Sequence, residues 1–450
     1  MPKQGGFLTT IAQMSHVDPS ALADQLLEAR ARTMLLVEPL TDDELHAQHD
    51  PLMSPILWDL GHIAHFEELW LTRNLDGPVE FVEMPGLFNP FEHPRSARGA
   101  LRLPGLDECK EIMDAIRGRV LGRLATSDFD ASTPLLRDGY VYRMVLQHEY
   151  QHNETMLQTL QLKRGRPYSP LVRFDLPGGG ARAEGSEAQG DMVRFPGGSV
   201  DIGTDDRSAA YDNERGRHSI ELAPFWVDRD PVTNADFVVF IAAGGYSTRE
   251  YWSDAGWDWL TKSGVQVPMY WSWKDGGWHT RSMDRAGPVQ PTHPVCHVSY
   301  YEAEAFAHFA GKRLPTEFEW EAAASWDPSD RRKLSYPWGE QPPSKDLANV
   351  DQLSFGTRPV GSYPLNVSPL GCSGMIGDVW EWTASDFRPY PGFQSFPYRE
   401  YSETFFGTEY KVLRGGSWAT RPGAIRNTFR NWDYPIRRQI FSGFRCARDD

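Results

Sequence analysis

The sequence has only four cysteines, no excess of basic residues and no long apolar run. The cysteines are widely spaced and form no C-x-x-C pair, which argues against a disulfide framework or a zinc ribbon and favours a reducing cytosol. The formal charge of −15 offers no cationic surplus, so we expect no nucleic-acid partner and no binding to anionic membranes. The longest apolar run, Phe237–Ala243, is too short to span a membrane, and Met1–Pro19 lacks the apolar core of a secretory signal. We therefore expect a cytoplasmic protein.

Aromatic residues are frequent, with 16 Trp, 17 Tyr and 23 Phe. The hydrophobic pattern changes along the chain. Four long amphipathic segments before residue 176 predict an up-and-down helical bundle. After residue 190, short apolar pieces alternate with Gly, Pro, Asn and Asp, which predicts an irregular α+β domain. The sequence thus predicts an α+β protein with two domains, a helical one over 1–175 and a second over 191–450, joined by a Gly-rich linker or exposed loop over 176–190.

Three histidines lie on the apolar faces of two predicted helices. His148 and His152 are four residues apart, so their rings lie on one helix face about a turn apart and can share a metal ion. His62 follows Trp58 by four residues on the second long helix and also faces the bundle interior. Facing helices of bundles build metal sites from such inward side chains. His65 is a competing ligand, and hydrogen-bonded core histidines are the alternative interpretation.

Three imidazoles without a carboxylate or a thiolate would leave coordination positions open on a bound metal ion. Such a site suits Zn(II) with water, or Fe(II) with exchangeable positions for a substrate and dioxygen. The ligand types alone do not distinguish the two metals.

The second half resembles the formylglycine-generating-enzyme fold, a module related to C-type lectins, and the first half resembles the DinB-like four-helix bundle. Six short motifs in order carry the resemblance of the second half: Phe195–Gly198, Pro231–Asn234, Gly311–Glu317, Tyr336–Gly339, Gly377–Trp382 and Arg414–Ser417. The fused pair is similar to the sulfoxide synthases of ergothioneine biosynthesis, the hercynine oxygenases. The motifs for that similarity are Asp50–Pro55, Trp58–His62, His148–Glu154 and Asn431–Phe441.

This resemblance implies an Fe(II) enzyme that uses O2 to couple the sulfur of a thiol to the imidazole C2 of hercynine (N-α-trimethylhistidine), leaving a sulfoxide. The implied iron ligands are His62, His148 and His152. Gln151 and Asn431 are implied to contact hercynine, with Trp432 nearby. Aromatic side chains suit this substrate, because a quaternary ammonium group is best held by aromatic faces.

The resemblance also implies a thiol site and a proton donor. In one branch of the family the thiol is γ-glutamylcysteine, whose two carboxylates and amine require guanidinium groups and one acid. The residues that match this branch are Arg95, Arg98, Asp433 and Arg437. A family tyrosine donates a proton during oxygen activation; we favour Tyr398, with Tyr401 second and Tyr390 as a further candidate.

Several alternatives stay open. A selenoneine synthase would share the iron site and the hercynine pocket but take a selenosugar, and free cysteine could be the sulfur donor. A non-catalytic, metal-stabilised ligand-binding protein is the alternative outside enzymes. A formylglycine-generating activity is disfavoured, because Trp418–Arg430 contains no cysteine that could bind copper. The sequence does not define the oligomeric state, and a monomer is compatible with it.

Overall fold

A computed structural model describes residues 17–76, 86–130, 133–163, 165–173 and 191–450. The expected linker over 176–190 lies outside the described residues, as does most of Met1–Pro19. The domain boundaries at 175 and 191 therefore stay predictions.

The described residues before position 174 form a helical bundle. Its helices are α1 (Pro19–Val37), α2 (Asp42–His46), α3 (Ile56–Glu68), α4 (Asn74–Asp76), α5 (Leu106–Leu124) and α6 (Tyr140–Leu162). The side chain of Asp18 caps α1, and Thr41 and Glu44 form a capping box at α2, so local sequence signals set these helix starts. The four long helices pack with α1 on α6 and with α3 on both α5 and α6. A π-helical turn, Leu69–Arg73, extends α3.

Each long helix contributes one charged residue to a buried network. Arg30 of α1 contacts Glu67 and Glu149 at 2.8 and 3.0 Å, and Arg117 of α5 contacts the same two carboxylates at 2.6 and 2.9 Å. Thr33 donates a further hydrogen bond to Glu149. Because the four charges alternate in sign and offset one another, the network links all four long helices.

The second part of the chain combines short strands with four helices. The strands are β1 (Met192–Phe195), β2 (Gly198–Ile202), β3 (His218–Leu222), β4 (Phe225–Asp228), β5 (Ser272–Lys274), β6 (Gly277–Ser282), β7 (Arg285–Pro288), β8 (Trp326–Asp327), β9 (Arg332–Lys333), β10 (Trp380–Asp386), β11 (Lys411–Arg414), β12 (Asn431–Asp433), β13 (Ser442–Gly443) and β14 (Ala447–Asp449). The helices are α7 (Asn234–Ala242), α8 (Asp254–Ser263), α9 (Tyr300–Phe309) and α10 (Glu317–Ser325).

Two sheets organise this domain. One has the order β12-β11-β10-β13 and places β12 at its edge, and the other has the order β1-β4-β14, which ties the end of the chain to the start of the domain. Capping boxes begin α7, α9 and α10, so these helix starts are again encoded locally. The predicted α+β class with two domains is confirmed. No helix in the described ranges has the length and apolar character needed to cross a bilayer.

Helix α6 joins the two domains. The buried carboxylate of Glu154 accepts hydrogen bonds from Trp380 Nε1 at 2.7 Å, Ser417 Oγ at 2.7 Å and Thr420 Oγ1 at 2.6 Å. One cluster of buried apolar residues continues from the bundle into the C-terminal domain. The bundle and the sheet domain therefore share a packed interface along the helix that carries two of the three predicted ligands.

We expect Glu149→Ala to lower the free energy of unfolding by about 3–5 kcal/mol, because it leaves two buried guanidinium groups with the single carboxylate of Glu67 between them. Denaturant titration measures this change. The control is Lys262→Ala, which breaks the exposed Lys262–Asp258 pair on α8 and should cost about 0.5 kcal/mol or less. Equal effects of the two substitutions would contradict a stabilising role for the network.

Candidate metal centre

Three imidazoles converge where α3 packs on α6. His62, His148 and His152 each offer one ligand atom, and these atoms all lie within 4.8 Å of one another. The ring centroids are 4.5–5.0 Å apart: 5.0 Å for His62–His148, 4.9 Å for His62–His152 and 4.5 Å for His148–His152. Donors at this spacing can surround a single cation, so the predicted set fits a divalent metal ion.

The surroundings keep two of these rings in the form that binds metal. Burial, together with the neighbouring His152, lowers the pKa of His62 and of His148 well below the ordinary histidine value. A metal ligand must be the neutral imidazole, so the apolar surroundings prepare both rings for coordination. His62 Nδ1 lies 2.8 Å from the carbonyl oxygen of Phe88; if Nδ1 carries the proton, Nε2 is free for the metal.

Aromatic side chains form the walls of the centre. Trp58 stacks on His62 with ring centroids 4.9 Å apart, and Phe66 stacks on His148 at 3.7 Å. Gly61 makes room for Phe88, because a Cβ at Gly61 would lie 2.1 Å from the Phe88 ring. Glycine before His62 therefore lets the loop residue reach the imidazole that it orients.

Two residues next to the predicted ligands, His65 and Glu149, lie outside the candidate centre. His65, the competing ligand, is not part of the histidine set among the described residues. His148–His152 has the H-E-x-x-H spacing of zinc proteases, but Glu149 is held by Arg30 and Arg117 inside the bundle. Glu149 is therefore not placed to act as a general base on a metal-bound substrate.

The tyrosine candidates occupy different places. Tyr398 is half-buried, with its ring 6.2 Å from Phe66 and 5.0 Å from Trp70. Tyr401 Oη accepts a hydrogen bond from Gln151 Nε2 at 3.3 Å, between the two ligand positions on α6. Burial raises the pKa of Tyr398 and of Tyr401, so both hydroxyl groups carry a proton at neutral pH. Tyr390 lies in a separate apolar cluster of the C-terminal domain, under the guanidinium of Arg430.

The predicted hercynine contacts lie on β12 and beside it. One face of Trp432 stacks on Phe387 at 4.1 Å, and its edge meets Tyr401 with centroids 5.8 Å apart. Asn431 precedes Trp432 on the same edge strand. Because Tyr401 also contacts Gln151, the structure connects β12 to the histidine-bearing helix through aromatic and amide side chains.

The predicted thiol-site residues form a basic group next to the same interface. Arg437 is buried, and its Nε lies 3.7 Å from Asp433 Oδ2, while Nη2 is 3.4 Å from Gln158 Oε1. Burial lowers the pKa of Arg437, Asp433 raises it, and the positive charge of the exposed Arg95 lowers it further. These contacts are long for a buried guanidinium, which leaves it able to bind an additional carboxylate.

Arg98 is held in place by several neighbouring groups. Its guanidinium carbon lies 3.4 Å from the centroid of the Trp58 ring, Nη1 donates to Ser54 Oγ at 2.8 Å, and Nε donates to the His93 carbonyl at 2.9 Å. Burial and the charge of Arg95 lower the pKa of Arg98 to about 10. Trp58 thus lies between a predicted thiol-binding group and the metal-ligand candidate His62.

Comparison with known proteins gives matches over both halves of the chain. A model of the sulfatase-modifying factor enzyme 1-like domain matches residues 180–450, and a model of the DinB superfamily matches residues 25–156. Hercynine oxygenase of Mycolicibacterium thermoresistibile is 44% identical over 440 residues, which cover 95% of this chain and 94% of that protein. Hercynine oxygenase of Mycobacterium tuberculosis is 43% identical and covers 96% and 99%. The formylglycine-generating enzyme of Mycobacterium tuberculosis is 35% identical but covers only 58% of this chain and 98% of that protein.

We expect His148→Ala and His152→Ala each to abolish stoichiometric binding of Fe(II) or Co(II), because two imidazoles cannot replace a three-ligand site. Metal content after anaerobic loading and desalting measures the effect. His65→Ala is the matched control and should keep about one metal ion per chain. The ligand set would be wrong if His152→Ala retained a full metal ion per chain, or if His65→Ala retained none.

Proposed function

Since the chain belongs to the hercynine oxygenase family, we propose that it is a non-haem Fe(II) enzyme that uses O2 to couple a thiol, γ-glutamylcysteine, to the imidazole C2 of hercynine. Family membership makes it an oxidoreductase that acts on hercynine in ergothioneine biosynthesis. The convergence of three imidazoles, with no carboxylate or thiolate in the set, is the observation that carries the proposal. Such a donor set leaves room for two substrates at one ion.

We propose His62, His148 and His152 as the iron ligands. Iron bound there would supply O2 activation and hold substrates in its remaining positions. The protein's own contribution is to keep the donors neutral and fixed. The stacked rings of Trp58 and Phe66 exclude water from one side of the centre and restrict rotation of the imidazoles that they cover.

We propose that hercynine lies between α6 and β12. Gln151 and Asn431 offer amide groups to the imidazole and the carboxylate, and Trp432 and Tyr401 offer aromatic surface to the trimethylammonium group. A quaternary ammonium has no N–H to donate, so apolar and π contacts are the interactions that recognise it. In this position the imidazole ring of the substrate would face the histidine centre.

We propose that the thiol lies against Arg95, Arg98, Asp433 and Arg437. The arginines would bind the two carboxylates of γ-glutamylcysteine, and Asp433 would bind its ammonium group. The loosely paired Arg437 supports this role, because a buried guanidinium with only long contacts gains most from a charged ligand. A selenosugar, the rival second substrate, has no carboxylate to use these groups, so the geometry favours a charged thiol.

We propose Tyr398 as the proton donor, with Tyr401 as the second candidate. Its position beside the centre is the support for this role, because burial raises the pKa of Tyr398 and by itself makes the hydroxyl a weaker acid. The ring lies against Phe66, which itself covers His148. Tyr401 is already engaged by Gln151, which suits a role in holding hercynine.

The reaction is tested by loading the protein with Fe(II) without oxygen and then adding air, hercynine and one donor. Separate reactions contain γ-glutamylcysteine, cysteine or a selenosugar, and mass spectrometry identifies the product. We expect the sulfoxide conjugate with γ-glutamylcysteine to form fastest. A product only from the selenosugar would assign the rival reaction, and tight zinc without oxygen uptake would support the ligand-binding alternative.

Arg437→Ala should raise the apparent KM for γ-glutamylcysteine by about 10- to 100-fold, the size of one charge-assisted hydrogen bond, and leave the KM for hercynine nearly unchanged. Steady-state kinetics with each substrate varied in turn measures the two constants. Arg332→Ala, which removes an exposed arginine of the same domain, is the control and should behave like the unchanged protein. A parallel rise in both KM values would contradict a separate thiol site.

Tyr398→Phe should slow sulfoxide formation by about 100-fold or more while leaving both KM values close to normal, because only the proton-donating oxygen is removed. Single-turnover product analysis measures the rate. Tyr401→Phe is the comparison: normal rates in Tyr398→Phe combined with slow rates in Tyr401→Phe would transfer the role to Tyr401.

A further inference from the structure

Asp59 is a buried carboxylate beside the candidate metal centre. It lies on α3, three residues before His62, with a side chain only 1% exposed. Its Oδ1 is 3.3 Å from His152 Nδ1, which is within ion-pair distance but is not an aligned hydrogen bond. Among the described residues, His152 Nδ1 and Asp59 Oδ2 are both buried without a hydrogen-bond partner. An ionised carboxylate is costly to bury, so a side chain in this position requires a partner that offsets the cost.

The neighbouring arginine does not fill this role by direct contact. Arg98 lies close enough for the charge of Asp59 to raise its pKa, but its hydrogen bonds go to Ser54 and His93. Among the described residues, the ion-pair contact of Asp59 is with the ring nitrogen of His152. This places the carboxylate between a predicted metal ligand and a predicted thiol-binding group.

The three imidazoles have different outer neighbours. His62 Nδ1 faces the neutral carbonyl of Phe88 at 2.8 Å, and the His148 ring is covered by Phe66. His152 is the most exposed of the three, with 17% of its side chain accessible, and its Nδ1 faces a carboxylate. A histidine that binds a metal usually donates its second ring N–H to a carbonyl or carboxylate, which fixes the tautomer and the ring orientation.

We propose that Asp59 is a positioning residue for His152: it accepts the Nδ1 proton of that ring and so presents Nε2 to the metal. This inference rests on the proposed metal centre. The carboxylate also makes His152 a stronger donor than His62, whose outer neighbour is uncharged. The most exposed of the three rings, which has the least packing to hold it, is thereby the one held by the strongest acceptor.

The test compares Co(II) and Fe(II) binding by Asp59→Ala, Asp59→Asn and the unchanged protein, with Co(II) absorption as the spectroscopic readout. We expect Asp59→Ala to weaken metal binding by about 10- to 100-fold and to alter the Co(II) spectrum. Asp59→Asn keeps the shape of the side chain and an acceptor oxygen, so its metal affinity should lie between those of Asp59→Ala and the unchanged protein. Glu68→Gln, which removes another buried carboxylate of α3, one paired with Arg119, is the matched control and should bind like the unchanged protein.

The outcomes separate this inference from the proposed function. If the unchanged protein binds one metal ion and both Asp59 variants bind it equally tightly with the same spectrum, the positioning role is wrong and the three-histidine centre stands. If the unchanged protein binds no metal, the proposed centre itself is wrong. The same holds if His152→Ala binds the metal as tightly as the unchanged protein does. Melting of the metal-free proteins checks folding, and the isosteric Asp59→Asn variant provides the result if Asp59→Ala does not fold.

Discussion

The packing of α3 against α6 is the contact on which the candidate site depends. It brings His62 to the two histidines of α6, and burial keeps His62 and His148 uncharged there. Protonated imidazoles at this distance would repel one another and a metal ion, so desolvation and metal binding favour the same state of these rings. The aromatic stacking of Trp58 and Phe66 supplies that desolvation.

Successive residues of α6 serve different neighbours. Glu149 points into the bundle and completes the buried charge network, Gln151 faces Tyr401 of the C-terminal domain, and Glu154 accepts three hydrogen bonds from that domain. Between them, His148 and His152 face His62. One helix therefore links bundle stability, domain contact and candidate ligands, and a shift in its register would disturb all three. Neither domain alone contains all of the predicted site residues.

Some features of the site could be predicted from sequence patterns and others could not, for physical reasons. The spacing of His148 and His152 predicts a shared helix face, because helical periodicity is local. The choice of His62 over His65 depends on how α3 is rotated, which packing and the buried charges decide. The contacts of Phe88 with His62 and of Arg98 with Trp58 join residues far apart in the chain, so no local pattern predicts them. Asp59 was missed for the same reason, although a lone acid on an apolar helix face is a signal that could have identified it.

His62, His148 and His152 are proposed to bind one iron ion. Crystals grown with Fe(II) under nitrogen, measured on both sides of the iron absorption edge, test it directly. We expect one anomalous peak per chain, about 2.1 Å from a ring nitrogen of each histidine. A peak at another position, or none in fully loaded protein, would contradict it.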